Sequence, residues 1–403
     1  MSTIIEKLQA HIREEDLVKW TADMVRIESH AEIPQQETGV AKYIHSVFTQ
    51  YGIPCELKEV VDGRCNVIAW LDSGNPGQTL MFNGHMDTIR ADGMEDAFEP
   101  KIIDGKLYGR GSSDMKGPIA TAMGAMIALK ESGLLQKGKV IFTGVLDEEE
   151  KSLGTIDILE SGITADAAIV CEPSELKICN TQRGLEWFQF HFQGKTVHGG
   201  RQKEGINAIA KAVAFINAME ESLVSDVFDR GGTVNYGVIH GGTQLSTVAG
   251  ECDLYVDRRF TGEETYEEMT QEFQSLLDQL AAKDPQFHCE MKVMKESVMK
   301  EGFVHMPMFT DLNEPIVKIT ESCMEKILGG PVEYMCHPCW TDGGLLSTYG
   351  KIPTIVFGPG EIECCHGLHE FIRIEQLTKV ALVYALIAES FCHEFEKDEN
   401  DAR

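Results

Sequence analysis

Short apolar runs alternate with helix-length stretches through the first half of this chain, and few folds accommodate that rhythm. Strand-like runs fall at 65–71, 79–83, 140–146 and 167–170, with an Ala-rich helical stretch at 115–132 between the second and third. Strands spaced by helices predict an α/β fold, a sheet with helices packed on its faces. After Gly184 the rhythm becomes β-α-β-β-α-β over residues 185–297, the split unit of a ferredoxin-like domain. Helices at 313–328 and from Ile374, with strands near 332–335 and 353–357, then resume the α/β pattern. The expected organisation is one α/β domain formed by 1–184 and 298–403, interrupted by an inserted domain at 185–297.

The charge excludes several partners. Against 36 Lys and Arg stand 64 Asp and Glu, a formal charge of −28 over 403 residues. Nucleic-acid backbones are bound through clustered Lys and Arg, and anionic membranes through basic patches, so neither partner is expected. No apolar stretch approaches the ~20 residues that cross a bilayer. The first residues lack the cationic-then-apolar pattern of a signal peptide. The 12 cysteines are far sparser than in a disulfide scaffold. A cytoplasmic protein with reduced thiols is expected, ending in a solvated tail at 396–403.

Five places put histidine or carboxylate just beyond a strand-like run, where α/β sheets hold ligands. His85 and Asp87 close the run at 79–83; two apart in extended chain, they share a face, so one can ligate while the other orients it. Asp114 stands where Gly109-Arg110-Gly111 would need a third glycine to form a dinucleotide loop. A carboxylate there repels a pyrophosphate, which leaves a metal ligand or a helix N-cap. Asp147-Glu148-Glu149-Glu150 follow the run at 140–146, and like charges held together call for a cation or a proton. Glu172 follows the run at 167–170, and His366 and His369 follow the Gly358-Pro359-Gly360 turn.

In chain order, Gly84-His85-Met86-Asp87-Thr88, Gly109-Arg110-Gly111 with Asp114-Met115-Lys116-Gly117, Asp147-Glu148-Glu149, Glu172-Pro173 and His366 with Glu370 resemble one family. It is the di-zinc metallopeptidase and amidohydrolase family of aminoacylase, acetylornithine deacetylase, succinyl-diaminopimelate desuccinylase and the glutamate carboxypeptidases. The resemblance spans nearly the whole chain. It implies a zinc-peptidase-like catalytic domain with a mixed sheet flanked by helices, interrupted by a ferredoxin-like lid or dimerisation domain. His85 and Glu172 would hold one zinc, Glu149 and His366 the other, and Asp114 would bridge both. Two such ions, replaceable by Co2+, activate water and polarise a carbonyl. Glu148 would be the general base, Asp87 would fix the ligating tautomer of His85, and a cis peptide would follow Asp114.

The inserted domain carries the rest of the resemblance. Gly194-Lys195-Thr196-Val197-His198-Gly199 is similar to the family's lid motif, so His198 would reach the partner subunit's site of a homodimer and stabilise an oxyanion. Arg259, in Asp257-Arg258-Arg259, would anchor a substrate carboxylate, with Arg258 as the alternative. Ser246 stands in the substrate-binding loop where relatives often carry Asn, and Gly344 where a desuccinylase would present an arginine. The implied activity is hydrolysis of the amide bond of an N-acyl amino acid, with a dipeptidase or carboxypeptidase acting on short peptides as the alternative. Outside this class stand a nucleotide-dependent dehydrogenase, reading 109–114 as a cofactor loop, and a catalytically silent metal-binding protein. Cys336-His337-Pro338-Cys339 has no second C-x-x-C to complete a zinc knuckle.

Overall fold

The structure, a computed structural model, describes residues 3–393; the tail at 396–403 lies outside them. The chain divides into two compact units. One comprises residues up to Gln182 together with those from Met308 onward, and the other is Arg183–Pro307.

The first unit is built on a nine-stranded mixed sheet. At its centre Thr79–His85 runs parallel to Lys139–Val145 on one side and to Ala167–Val170 on the other. Thr354–Val356 extends the parallel set beyond Ala167–Val170. Antiparallel strands Arg64–Asp72 and Cys55–Val61 finish one edge, and Ile178–Gln182 with Met308–Phe309 and Tyr334–His337 finish the other. The central strands are buried almost throughout, as parallel strands covered on both faces must be. Helix Gly117–Ser132 is buried from Gly117 to Leu129, which fits its apolar character all round. Pro118 pre-sets its first turn, and Gly133, at φ 64°, ends it in the left-handed conformation.

The second unit is a four-stranded antiparallel sheet in the order Thr233–Gly241, Glu251–Phe260, Gly184–Gln193, His288–Val293. Gly184–Gln193 and Glu251–Phe260 bury alternate residues, so only one sheet face packs on a core. That core gathers Phe188, Phe190, Phe192, Phe215 and Phe273, with helices Ala208–Ser222 and Tyr266–Lys283 contributing the last two. Each fully buried phenylalanine contributes roughly 1.5–3 kcal/mol. The unit continues to Pro307 rather than ending at 297, because the chain returns beside its own first strand: Leu185 N donates to His305 O at 3.0 Å.

Candidate metal centre

The parallel register brings three strand ends to one place. His85 pairs in register with Val145, and Asn83 with Val170, so His85, the 146–149 loop and Glu172 emerge at the same sheet edge. Asp114 arrives from the turn Ser112–Lys116, where the Asp114–Met115 peptide is cis. Gly111 lies at φ 84° in front of that turn, and a Cβ there would stand 2.8 Å from Lys116 Cδ. The glycines of this loop therefore serve a tight turn around a carboxylate, and the nucleotide reading fails.

Asp114 faces two imidazoles. Its Oδ1 lies 3.0 Å from His85 Nε2 and its Oδ2 3.3 Å from His366 Nε2. Glu172 Oε1 stands 3.3 Å from His85 Nε2, and Glu149 Oε2 3.2 Å from His366 Nε2. One donor atom from each of His85, Glu148 and Glu172 lies within 4.8 Å of the others, and so do those of His85, Asp114 and Glu149. His366, at φ 61°, reaches the cluster, whereas His369 lines a separate groove with Leu368 and Phe371. The donor set of imidazole nitrogens and carboxylate oxygens fits zinc.

Burial dominates the electrostatics. It pushes Glu172 up to about 7 and Glu148 well above the ordinary carboxylate range, both against the pull of His85. Burial also raises Asp114, but hydrogen bonds from His366 and His85 override it and hold Asp114 low. His366 is lifted to about 10 by its contacts with Asp114 and Glu149. Carboxylates crowded this closely call for a compensating cation or proton.

Asp87 does more than its sequence position suggested. Its backbone oxygen is 3.0 Å from His85 Nδ1, while its carboxylate accepts from Glu148 N at 3.2 Å and Glu149 N at 3.0 Å. It thus fixes a histidine and a carboxylate loop together. Two further supports lie outside the cluster: Arg64, with no local sequence signal, and Glu370, already part of the His366 motif. Arg64 donates to both oxygens of buried Glu37 at 3.0 Å and to Asp147 Oδ1 at 2.8 Å, tethering the residue before Glu148. Glu370 is fully buried and accepts from Arg110 Nη1 at 2.6 Å and from the amides of Gly111, Ser113 and Asp114. It holds the Asp114 turn from beneath.

A cavity of about 170 Å³ opens onto the cluster, walled by Asp114, Glu148, Glu149 and Glu172 at one end and by His337, Trp340 and Ile362 among others at the other. No Lys or Arg among the described residues lines it. Cys336 and His337 end a strand, and the His337 ring faces the carbonyls of Cys339 and Pro173 at 3.1 and 3.2 Å.

In the second unit, His198 Nδ1 accepts from Gly200 N at 3.1 Å, so the neutral ring carries its proton on Nε2. The Ser246 carbonyl accepts from Gly199 N at 2.6 Å, placing the two loops side by side. Arg258 is fully buried and paired with Glu264, which removes it as a substrate anchor. Arg259 is a quarter exposed and held by Asp257 at 2.8 and 3.0 Å, itself bonded to Trp187 Nε1 at 3.1 Å.

The chain is similar to known proteins. The family profile described as peptidase family M20/M25/M40 matches residues 81–390. N-formyl-4-amino-5-aminomethyl-2-methylpyrimidine deformylase of Halalkalibacterium halodurans is 27% identical over 97% of this chain and 98% of its own length. A probable succinyl-diaminopimelate desuccinylase of Staphylococcus epidermidis is 31% identical over 52% of each chain. The crystal structure of aminopeptidase PepT from Bacillus cereus superposes with a TM-score of 0.79, covering 94% of this chain and 99% of that one at 22% identity. No helix among the described residues is long and apolar enough to cross a membrane.

Proposed function

The chain belongs to peptidase family M20/M25/M40, and from that membership we propose that it is a di-zinc hydrolase removing a small uncharged acyl group from an N-acyl amino acid. The single observation carrying this reading is Asp114, whose two oxygens face His85 and His366 separately. His85 and Glu172 would hold one ion, His366 and Glu149 the other, with Asp114 shared and Co2+ an acceptable substitute. Bound there, the ions would supply positive charge that polarises the acyl carbonyl and acidifies a water.

The protein's own groups do the remainder. Glu148 takes the proton of the attacking water and returns it to the departing amine, and burial suits it to hold that proton between the two steps. Asp87 and Arg64 keep its loop in register. His198 offers Nε2–H to the oxyanion, acting on the partner subunit's site of a homodimer, and Arg259 receives the substrate carboxylate. Ser246 borders the same loop as His198. The acyl group is small and uncharged because no Lys or Arg among the described residues lines the cavity to meet a second carboxylate, whose burial alone is costly.

Exposed apolar side chains support the homodimer. Val238 and Ile239 lie on the edge strand Thr233–Gly241, and Ile209 and Val213 on helix Ala208–Ser222. The deciding experiment is a hydrolysis panel of N-formyl, N-acetyl and N-succinyl amino acids beside dipeptides, with metal analysis. N-formyl and N-acetyl compounds should be cut fastest by protein holding two zinc per chain. Cleavage confined to dipeptides would establish a peptidase instead.

A further inference from the structure

Cys364 and Cys365 immediately precede His366, and the proposed hydrolysis uses neither. Both thiols donate to one acceptor. Cys364 Sγ lies 3.1 Å and Cys365 Sγ 3.5 Å from the carbonyl oxygen of Glu361. Adjacent residues of an extended strand would point to opposite faces. Here the single helical turn Ile362–Cys364 swings the two sulfurs to the same side. Both are half-buried free thiols. Cys365 lines the cavity of the metal centre, with its Sγ 3.8 Å from Ser113 Oγ. Cys364 lines the groove shared by Glu361, Leu368 and Phe371, which gives a small reagent a way to the pair.

We infer that Cys364 and Cys365 form a dithiol site for a thiophilic trivalent centre, a monosubstituted trivalent arsenical being the chemical class, and that filling it disables the metal centre through His366. Sulfur is the soft donor of the protein repertoire and selects soft centres. With an arsenoso compound, R–As=O, each thiol gives up its proton, two As–S bonds form and the oxygen leaves as water. Arsenic stays trivalent, so no oxidant or reductant is required. Closing that ring fixes both sulfurs on one arsenic atom and redraws the turn 361–365. His366 follows directly, with its Nε2 only 3.3 Å from Asp114 Oδ2 and 3.2 Å from Glu149 Oε2. A displacement of about 1 Å in such a site costs roughly a hundredfold in rate.

The exposed Cys336 and Cys339 are the competing dithiol, three residues apart across the end of strand Tyr334–His337. Cys339 lines the same cavity as Cys365, so substituting one pair at a time is what makes the test specific. Phenylarsine oxide is titrated into the full-length protein, with native intact mass, zinc content and N-acetyl amino acid hydrolysis read together. One adduct per chain should form, with zinc lost and hydrolysis falling at least tenfold, both reversed by a dithiol and not by a monothiol. Cys364→Ser should keep hydrolysis and lose the adduct, and Cys336→Ser should behave as the unchanged protein. An equal adduct on Cys364→Ser, or its loss from Cys336→Ser, overturns the site. An adduct that leaves zinc and turnover untouched overturns the link through His366. That link rests on the hydrolase reading, whereas the adduct does not. A protein that cuts no amide therefore fails the proposed function while the mass readout still decides the dithiol.

Discussion

Glu148 shares a tight group with His85 and Glu172, and burial lets it keep a proton that an exposed glutamate would release. Its position fits a base and equally a ligand, so one substitution separates the two roles. Glu148→Gln should lower hydrolysis by about 10²–10⁴-fold while metal analysis still finds two zinc per chain. Zinc lost in parallel with activity would make Glu148 a ligand. Glu370 acts at the same scale from beneath the Asp114 turn. Glu370→Gln places an amide against Arg110 and the donors of Gly111, Ser113 and Asp114. Leaving a buried arginine without its charge partner costs about 3–5 kcal/mol, which denaturant unfolding of the zinc-loaded protein should register. These residues also mark how far the sequence is legible. His85, Asp114, Glu149, Glu172 and His366 stand beside strands or inside short motifs, and the structure gathers all five. Arg64 has no such neighbourhood: its partners, Glu37 and Asp147, are 27 and 83 residues away, and only the folded sheet joins them.

Among the elements, the strands at the centre of the sheet were the readable ones, because Thr79–His85, Lys139–Val145 and Ala167–Val170 each contain an uninterrupted apolar run. Short edge pieces such as Lys101–Ile103 and Phe371–Arg373 carry no comparable pattern and become strands only by pairing with Lys106–Tyr108. The helical stretch read as 115–132 begins at Gly117, after the irregular turn that presents Asp114. Periodicity cannot mark that break, since Met115 and Lys116 are themselves buried. The strand Thr233–Gly241 poses a different question. It is paired on one side only, and Val238 and Ile239 are nearly half exposed at 45% and 47%. An open apolar edge of this kind invites a second copy of itself. Ile239→Lys should therefore convert a dimer to monomers in sedimentation velocity at micromolar concentration, with the far-ultraviolet spectrum unchanged. If His198 acts across the interface, turnover should fall with the dimer fraction. Full turnover from the monomer would remove that role.

For the whole molecule, the charge of −28 is concentrated where folding crowds it as well as spread over the surface. Asp87, Asp114, Glu148, Glu149, Glu172 and Asp342 converge near two histidines, and burial raises Asp342 to about 6. Metal ions bound to this cluster stabilise the folded state by mass action, by about 2.7 kcal/mol per site when free metal is a hundredfold above its dissociation constant. General repulsion among surface carboxylates responds to ordinary salt, since the Debye length falls from about 30 Å at 0.01 M to about 8 Å at 0.15 M. The two contributions can be told apart in one calorimetric series. Chelation at low salt should abolish hydrolysis and lower Tm. Sodium chloride should then recover part of the lost Tm and none of the activity, whereas added Zn2+ or Co2+ should recover both. The cluster is buried, so salt screens it weakly, whereas a bound cation meets its charge directly. Complete recovery of Tm by salt alone would show that the carboxylates at the sheet edge are compensated without a metal, and the two-ion reading of Asp114 would fall with it.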